Sequence, residues 1–115
     1  MKLLELVPRN AIVAELAAAD RNGAIRELVE TLAAASVIPA AEVETIAKSI
    51  ITRERTRGTT GFGKGVAAPH AKIAGLHRAA AAVGRSSRGI DFSSLDGEPV
   101  FAVFLLISPE EQPEV

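Results

Sequence analysis

The sequence predicts an α/β sandwich in which two amphipathic helices precede a mostly internal sheet. Two apolar sets carry the helices. Ile25, Leu28, Val29, Leu32 and Ala33, and then Val43, Ile46, Ala47, Ile50 and Ile51, recur at helical spacing, which gathers each set on one face. A third observation carries the sheet: Val100 to Ile107 (VFAVFLLI) is apolar at every position, the mark of a central strand buried on both faces.

In chain order, Leu3 to Val7 is an apolar run broken by Pro8, and Ile12 to Leu16 is a short strand or a turn of helix. Asp20 or Asn22 caps the first helix, since either side chain accepts hydrogen bonds from free N–H groups. That helix runs from about Gly23 to Ala35 or Ser36. Pro39 suits the first turn of the second helix, which ends near Arg53, where cations favour the C-terminal dipole. Gly58 to Gly65 cannot hold regular structure for long, and Val66 to Ala68 reads as a short buried strand ending at His70. Ala79 to Gly84 is a strand of small residues, Arg85 to Gly89 is polar, and Asp96-Gly97 closes a loop. With both helices before the sheet, the apolar strand lacks cover on one face. Either the chain is shortened at its C-terminus, or a second copy supplies the cover and the protein is a homo-oligomer.

Composition bounds the chemistry. At 115 residues the chain is one domain, 1–115, and buries roughly two-thirds of its unfolded surface. Hydrophobic residues make up 48% but aromatics only 3%, so the core is built from Ala, Leu, Ile and Val. Thirteen basic and fourteen acidic residues give a formal charge of −1, which argues against a dedicated nucleic-acid partner. There is no cysteine, hence no disulfide or thiolate chemistry. The N-terminal apolar run carries Glu5 and is too short for a membrane span or signal peptide, so a cytoplasmic protein without direct membrane insertion is expected.

The chemistry concentrates in Arg53 to Lys72, RERTRGTTGFGKGVAAPHAK. Gly58 to Lys64 fits the phosphate-binding pattern G-x-x-x-x-G-K, but Gly65 stands where a magnesium-binding Ser or Thr belongs. The segment also follows a helix and enters a strand, the reverse of that motif's context, so nucleotide binding is disfavoured. His70 is the other candidate. A neutral imidazole can attack phosphorus and later release it. A glycine-rich loop offers amides to phosphoryl oxygens, Thr59 or Thr60 a hydroxyl, and Arg53 or Arg57 a cation. Pro69 stiffens the approach to His70. On the residues alone, a histidine satisfying a hydrogen bond at a strand end is the more economical reading. His70 and His77 without further ligands make no metal site. His77 reads as a surface residue and Arg85-Ser86-Ser87-Arg88 as a solvated turn.

Arg53-Glu54, then Gly58-Thr59-Thr60-Gly61-x-Gly63-x-Gly65-Val66-Ala67-x-Pro69-His70, resembles the type-2 EIIA domain of the bacterial phosphoenolpyruvate-dependent sugar phosphotransferase system. This is the fructose, mannitol and nitrogen-regulatory EIIA family. Ile90-Asp91-Phe92, Asp96-Gly97-x-Pro99-Val100 and Phe104 to Pro109 extend the likeness over essentially the whole chain. The resemblance implies a mixed sheet between helical layers and a phosphohistidine carrier. His70 would be phosphorylated, Arg53 and Thr60 would steady the phosphoryl group, and Thr59, Gly61 and Gly63 would support it. The partners implied are an HPr-like phosphocarrier and an EIIB domain, or protein targets in the regulatory branch. No cofactor, metal or nucleotide is implied for the step.

The sequence departs from the family pattern in three places. One extra residue lies between Arg53-Glu54 and the Thr-Gly pair, which leaves Arg55 and Arg57 as alternatives to Arg53. Ala71 replaces a glycine. The family continues past Ser108-Pro109 with a second active-site histidine and covering C-terminal helices, whereas this sequence stops at Val115. A truncated chain is therefore expected, with its competence as a phosphoacceptor open.

Overall fold

A computed structural model describes residues 11–76 and 78–110. The expected features at Leu3 to Pro8, at His77 and beyond Glu110 lie outside the described residues. The elements are β1 (Ile12–Val13), α1 (Arg21–Ala34), a 3-10 turn (Ala40–Glu42), α2 (Val43–Arg57), β2 (Gly61–Gly63), β3 (Val66–Ala67), β4 (His70–Ile73), β5 (Ala80–Ile90) and β6 (Val100–Pro109). They form the mixed α/β architecture the sequence predicts.

Asp20 does cap α1, its carboxylate accepting the Gly23 N–H at 2.6 Å. The helix ends on Ser36, at φ 63°, where the N–H groups of Ser36 and Val37 close back on the carbonyls of Ala33 and Leu32 at 3.0 Å. The second helix differs from its predicted span. Pro39 stays extended and the 3-10 turn intervenes, so α2 starts at Val43 and runs one turn past Arg53. The buried stripe Ile46, Ala47, Ile50 and Ile51 continues through Glu54, which carries the helix onward.

The six strands share one sheet in the order β1-β5-β6-β3-β2, with β4 also on β6. The long pairing is β5 with β6, antiparallel, from Ala80↔Ile107 to Ile90↔Val100. Arg85 to Arg88 is therefore no solvated turn but, with Gly89, part of β5, bulged against β6, with the Ser86 hydroxyl buried and accepting the Gly89 N–H at 3.2 Å. On the other side of β6, Val66↔Ala102 and His70↔Leu106 keep one parallel register. β3 and β4 are thus two pieces of one strand, interrupted where Pro69 has no N–H to give. His70, expected at the end of a strand, opens β4.

β6 alternates. Val103, Leu105 and Ile107 are buried with α1 and α2, and Pro109 is buried too, whereas Ala102, Phe104, Leu106 and Ser108 are half-buried on the opposite face. The expectation of burial on both faces is corrected by this alternation: among the described residues the helices close one face only. The core joins Ile25, Leu28, Val29 and Leu32 of α1 with Ile46 and Ile50 of α2 and with Val100, Val103, Leu105 and Ile107 of β6. Each such large apolar side chain contributes about 1.5–3 kcal/mol by leaving water. Among the described residues no helix is long and apolar enough to cross a membrane.

Gly84 marks where the sheet meets the β1–α1 connection. A Cβ there would lie 2.7 Å from the Leu16 side chain, itself buried. Gly84→Ala should therefore lower stability by about 1–3 kcal/mol through overpacking, read as an earlier midpoint in chemical denaturation. An unchanged midpoint would show that Leu16 is not fixed.

Candidate active site

The segment after α2 begins with Gly58 at φ 100°, a C-cap conformation that side chains resist. β2 and β3 then form a tight hairpin whose two connecting residues, Lys64 and Gly65, both have positive φ (59° and 79°). That is the backbone requirement of a type I′ turn, which matches the twist of a β-hairpin. The G-x-x-x-x-G-K stretch is therefore a hairpin leading into strands rather than the opening of a helix.

Its amides have partners. The Thr60 N–H donates to Glu54 Oε2 at 2.7 Å, the Gly61 N–H to Thr59 Oγ1 at 2.9 Å and the Lys64 N–H to Asp96 Oδ2 at 3.1 Å. The segment expected to present free amides to a phosphoryl group instead engages these three with the chain's own side-chain acceptors. Gly61 lies against Ser94 and Phe92, where a side chain would collide, and Gly63, at φ 130°, lies against the Asp96 carboxylate. Two backbone donors, Glu98 N–H foremost and then Lys64 N–H, hold the Asp96 carboxyl below its ordinary range.

Glu54 joins this hairpin to the helix. It is 3% exposed, and beyond the Thr60 amide it accepts the Thr60 hydroxyl at 2.9 Å through Oε1. The Thr59 hydroxyl lies 3.3 Å from Oε2 and also reaches the Phe92 carbonyl; its one proton serves one of them at a time. Desolvating a carboxylate costs several kcal/mol, and hydrogen bonds to such a group return about 1.5–3 kcal/mol each, so the cluster holds only with its donors in place. Sequence reasoning gave Glu54 no role. The available signal was its position, a carboxylate in the slot where the helical spacing of Ile46, Ile50 and Ile51 calls for an apolar residue.

His70 lies on the sheet face opposite the helices. Its neighbour Ala71 pairs with Ile107 and is buried, while His70 pairs with Leu106 and is half-buried. The ring is oriented by its own strand, with Nδ1 3.0 Å from the Ala68 carbonyl oxygen. A carbonyl only accepts, so Nδ1 carries the hydrogen, and in the neutral ring Nε2 is left with a free lone pair. Ala68 is held in turn, its N–H donating to the Thr60 carbonyl at 3.3 Å.

The structure thus brings Thr59, Thr60 and His70 into one hydrogen-bonded chain with Glu54 and Ala68. Thr60 enters with its hydroxyl proton engaged by Glu54. Arg53 is half-buried, Arg55 and Arg57 exposed. Arg53 and Arg57 stand four apart on one side of α2, flanking Glu54, and Arg55 projects elsewhere. Among the described residues no hydrogen bond joins these arginines to the chain.

An open mixed sheet backed by two helices, with a half-buried imidazole on its other face, defines the class. Residues 5–114 match the family model described as phosphoenolpyruvate-dependent sugar phosphotransferase system, EIIA 2, and the chain belongs to that family. It is 34% identical over 110 residues to the fructose-specific EIIABC component of Bacillus subtilis, covering 96% of this chain and 17% of that protein. It is 36% identical over 110 residues to a nitrogen regulatory protein of Bradyrhizobium diazoefficiens, covering 96% of this chain and 69% of that one. The crystal structure of the nitrogen regulatory protein IIA-Ntr from Neisseria meningitidis aligns with TM-score 0.80 at 32% identity, over 93% of this chain and 70% of that one. Mannitol-specific IIA of Escherichia coli shares the fold, with TM-score 0.72 at 17% identity over 90% of this chain and 72% of that one.

The lowered Asp96 carboxyl sets a pH dependence. A depressed folded-state value adds stability above the unfolded value that is lost as pH falls through the folded one. The stability advantage of the wild type over Asp96→Ala should therefore be full above pH about 4 and shrink below it, followed by denaturation at several pH values. A constant difference would show that Asp96 acts without its charge.

Proposed function

We propose that this chain is a phosphohistidine carrier in which Nε2 of His70 accepts a phosphoryl group from an HPr-like phosphocarrier and passes it to an EIIB domain. The observation that supports this most directly is the bond from Nδ1–H to the Ala68 carbonyl, which leaves Nε2 as the nucleophile. The Nε2 lone pair attacks the phosphorus of the donor's phosphohistidine. The donor's P–N bond breaks, and its electron pair returns to the donor ring. His70 keeps its Nδ1 hydrogen, so the phosphorylated ring carries positive charge, which the Ala68 carbonyl offsets. A cationic ring is also the better leaving group, so the same bond prepares the onward transfer. Arg53 or Arg57, at the end of α2, supplies the cation for the phosphoryl oxygens. Thr60, with Thr59, Gly61 and Gly63, supports the site by fixing the hairpin rather than by donating to phosphate. Such a carrier works in the cytoplasm.

Likeness to nitrogen regulatory proteins supports a second reading. In it the same phosphohistidine alters which protein targets bind, without sugar transport.

Incubation with phosphoenolpyruvate, the first enzyme of the system and HPr should add one acid-labile phosphate, and His70→Ala should take none. A wild-type chain that stays unphosphorylated overturns the carrier reading. Pull-downs with both forms separate the two readings: partner sets that change with phosphorylation favour regulation, and identical sets remove it.

A further inference from the structure

We infer that Glu54 is a positioning residue for His70, setting which ring nitrogen is free to react. The inference rests on the carrier reading for its catalytic consequence and on the hydrogen-bond chain for its mechanism. Three links connect carboxylate to imidazole. Glu54 accepts the Thr60 N–H at 2.7 Å and the Thr60 hydroxyl at 2.9 Å, which leaves no freedom in Thr60, 8% exposed. The Thr60 carbonyl receives the Ala68 N–H at 3.3 Å. The Ala68 carbonyl receives Nδ1–H of His70 at 3.0 Å.

The last link decides the chemistry. In free neutral histidine the hydrogen prefers Nε2. Here the Ala68 carbonyl draws it to Nδ1, so the tautomer depends on where Ala68 stands. On one side Ala68 is fixed by β6, where the Leu106 N–H donates to the Pro69 carbonyl at 3.0 Å. Opposite, Thr60 is its anchor, and Thr60 is anchored by Glu54. α2 packs on β4, so the helix that carries Glu54 also supports the strand that carries His70. Among the described residues Glu54 is the one charged side chain buried. A fold that needed only a core would place an apolar residue there.

Glu54→Met keeps the length of the side chain and removes the acceptor, and Glu54→Gln restores an acceptor. The first readout is the His70 ring by nitrogen NMR at pH about 8.5, well above the ordinary value for an imidazole. The wild type should show hydrogen on Nδ1, Glu54→Met should relax toward hydrogen on Nε2, and Glu54→Gln should recover much of the wild-type pattern. The second readout is the rate of phosphorylation by phosphorylated HPr, which should fall in Glu54→Met by on the order of 10²-fold, the scale of a misplaced reacting group, and partly recover in Glu54→Gln. Should Glu54→Met not fold, Thr60→Val against Thr60→Ser asks the same question, with the serine expected to match wild type. A wild-type ring with hydrogen on Nε2 overturns the inference, as does a folded Glu54→Met (or Thr60→Val) with an unaltered tautomer. If the wild type takes no phosphate the carrier reading fails, while the NMR readout still decides the role of Glu54.

Discussion

β6 pairs with β5 along one edge and with β3 and β4 along the other, and the rest of the molecule hangs on that double pairing. Because side chains alternate along a strand, the register of β6 dictates which face every neighbour shows. Val103, Leu105 and Ile107 face the helices and set the core, so Ala67 and Ala71 opposite them must be small and buried. The same register turns His70 to the other side. A slip of one residue between β4 and β6 would bury the imidazole under α2 and expose Ala71. The apolar core and the accessible histidine are two results of one pairing.

Against this rigid background the buried carboxylate of Glu54 stands out. A leucine at its position would cost nothing in desolvation and would pack with Ile50 and Ile51. It could not, however, satisfy the Thr60 amide, and the path from α2 into the hairpin would lose its fixed point. Nonpolar contacts tolerate sliding, whereas an acceptor that receives two donors from one residue does not. The energetic return of such a cluster is small, but its geometric return is large.

The glycine-rich segment looks like a phosphate cradle when read as a string of glycines and hydroxyls. Folded, it is a hairpin that braces the histidine strand, and its amides at Thr60, Gly61 and Lys64 bond to Glu54, Thr59 and Asp96. Its glycines serve close approach and positive φ: Gly65 completes the turn, and Gly61 lets the backbone lie against Ser94. Glycine spacing alone cannot distinguish these uses, because both need the same backbone freedom. The hydroxyls deceive similarly, since a threonine's single proton goes to whichever acceptor the fold brings nearest.

The sequence by itself determined the two helices, a cap at Asp20 or Asn22 and the long apolar strand. These follow from side-chain periodicity and from local backbone chemistry, which act within a few residues. The tertiary structure decided what depends on partners distant in sequence. It carried α2 past Arg53, because Glu54 is satisfied only by residues beyond the helix. It drew Arg85 to Gly89 into β5, because their backbone lies alongside β6. It gave β6 one face against the helices and one half-open, and it chose the ring nitrogen of His70 that keeps its lone pair. Periodicity reports that a residue has a buried side; which hydrogen bonds await it there is settled only when the chain has folded back on itself.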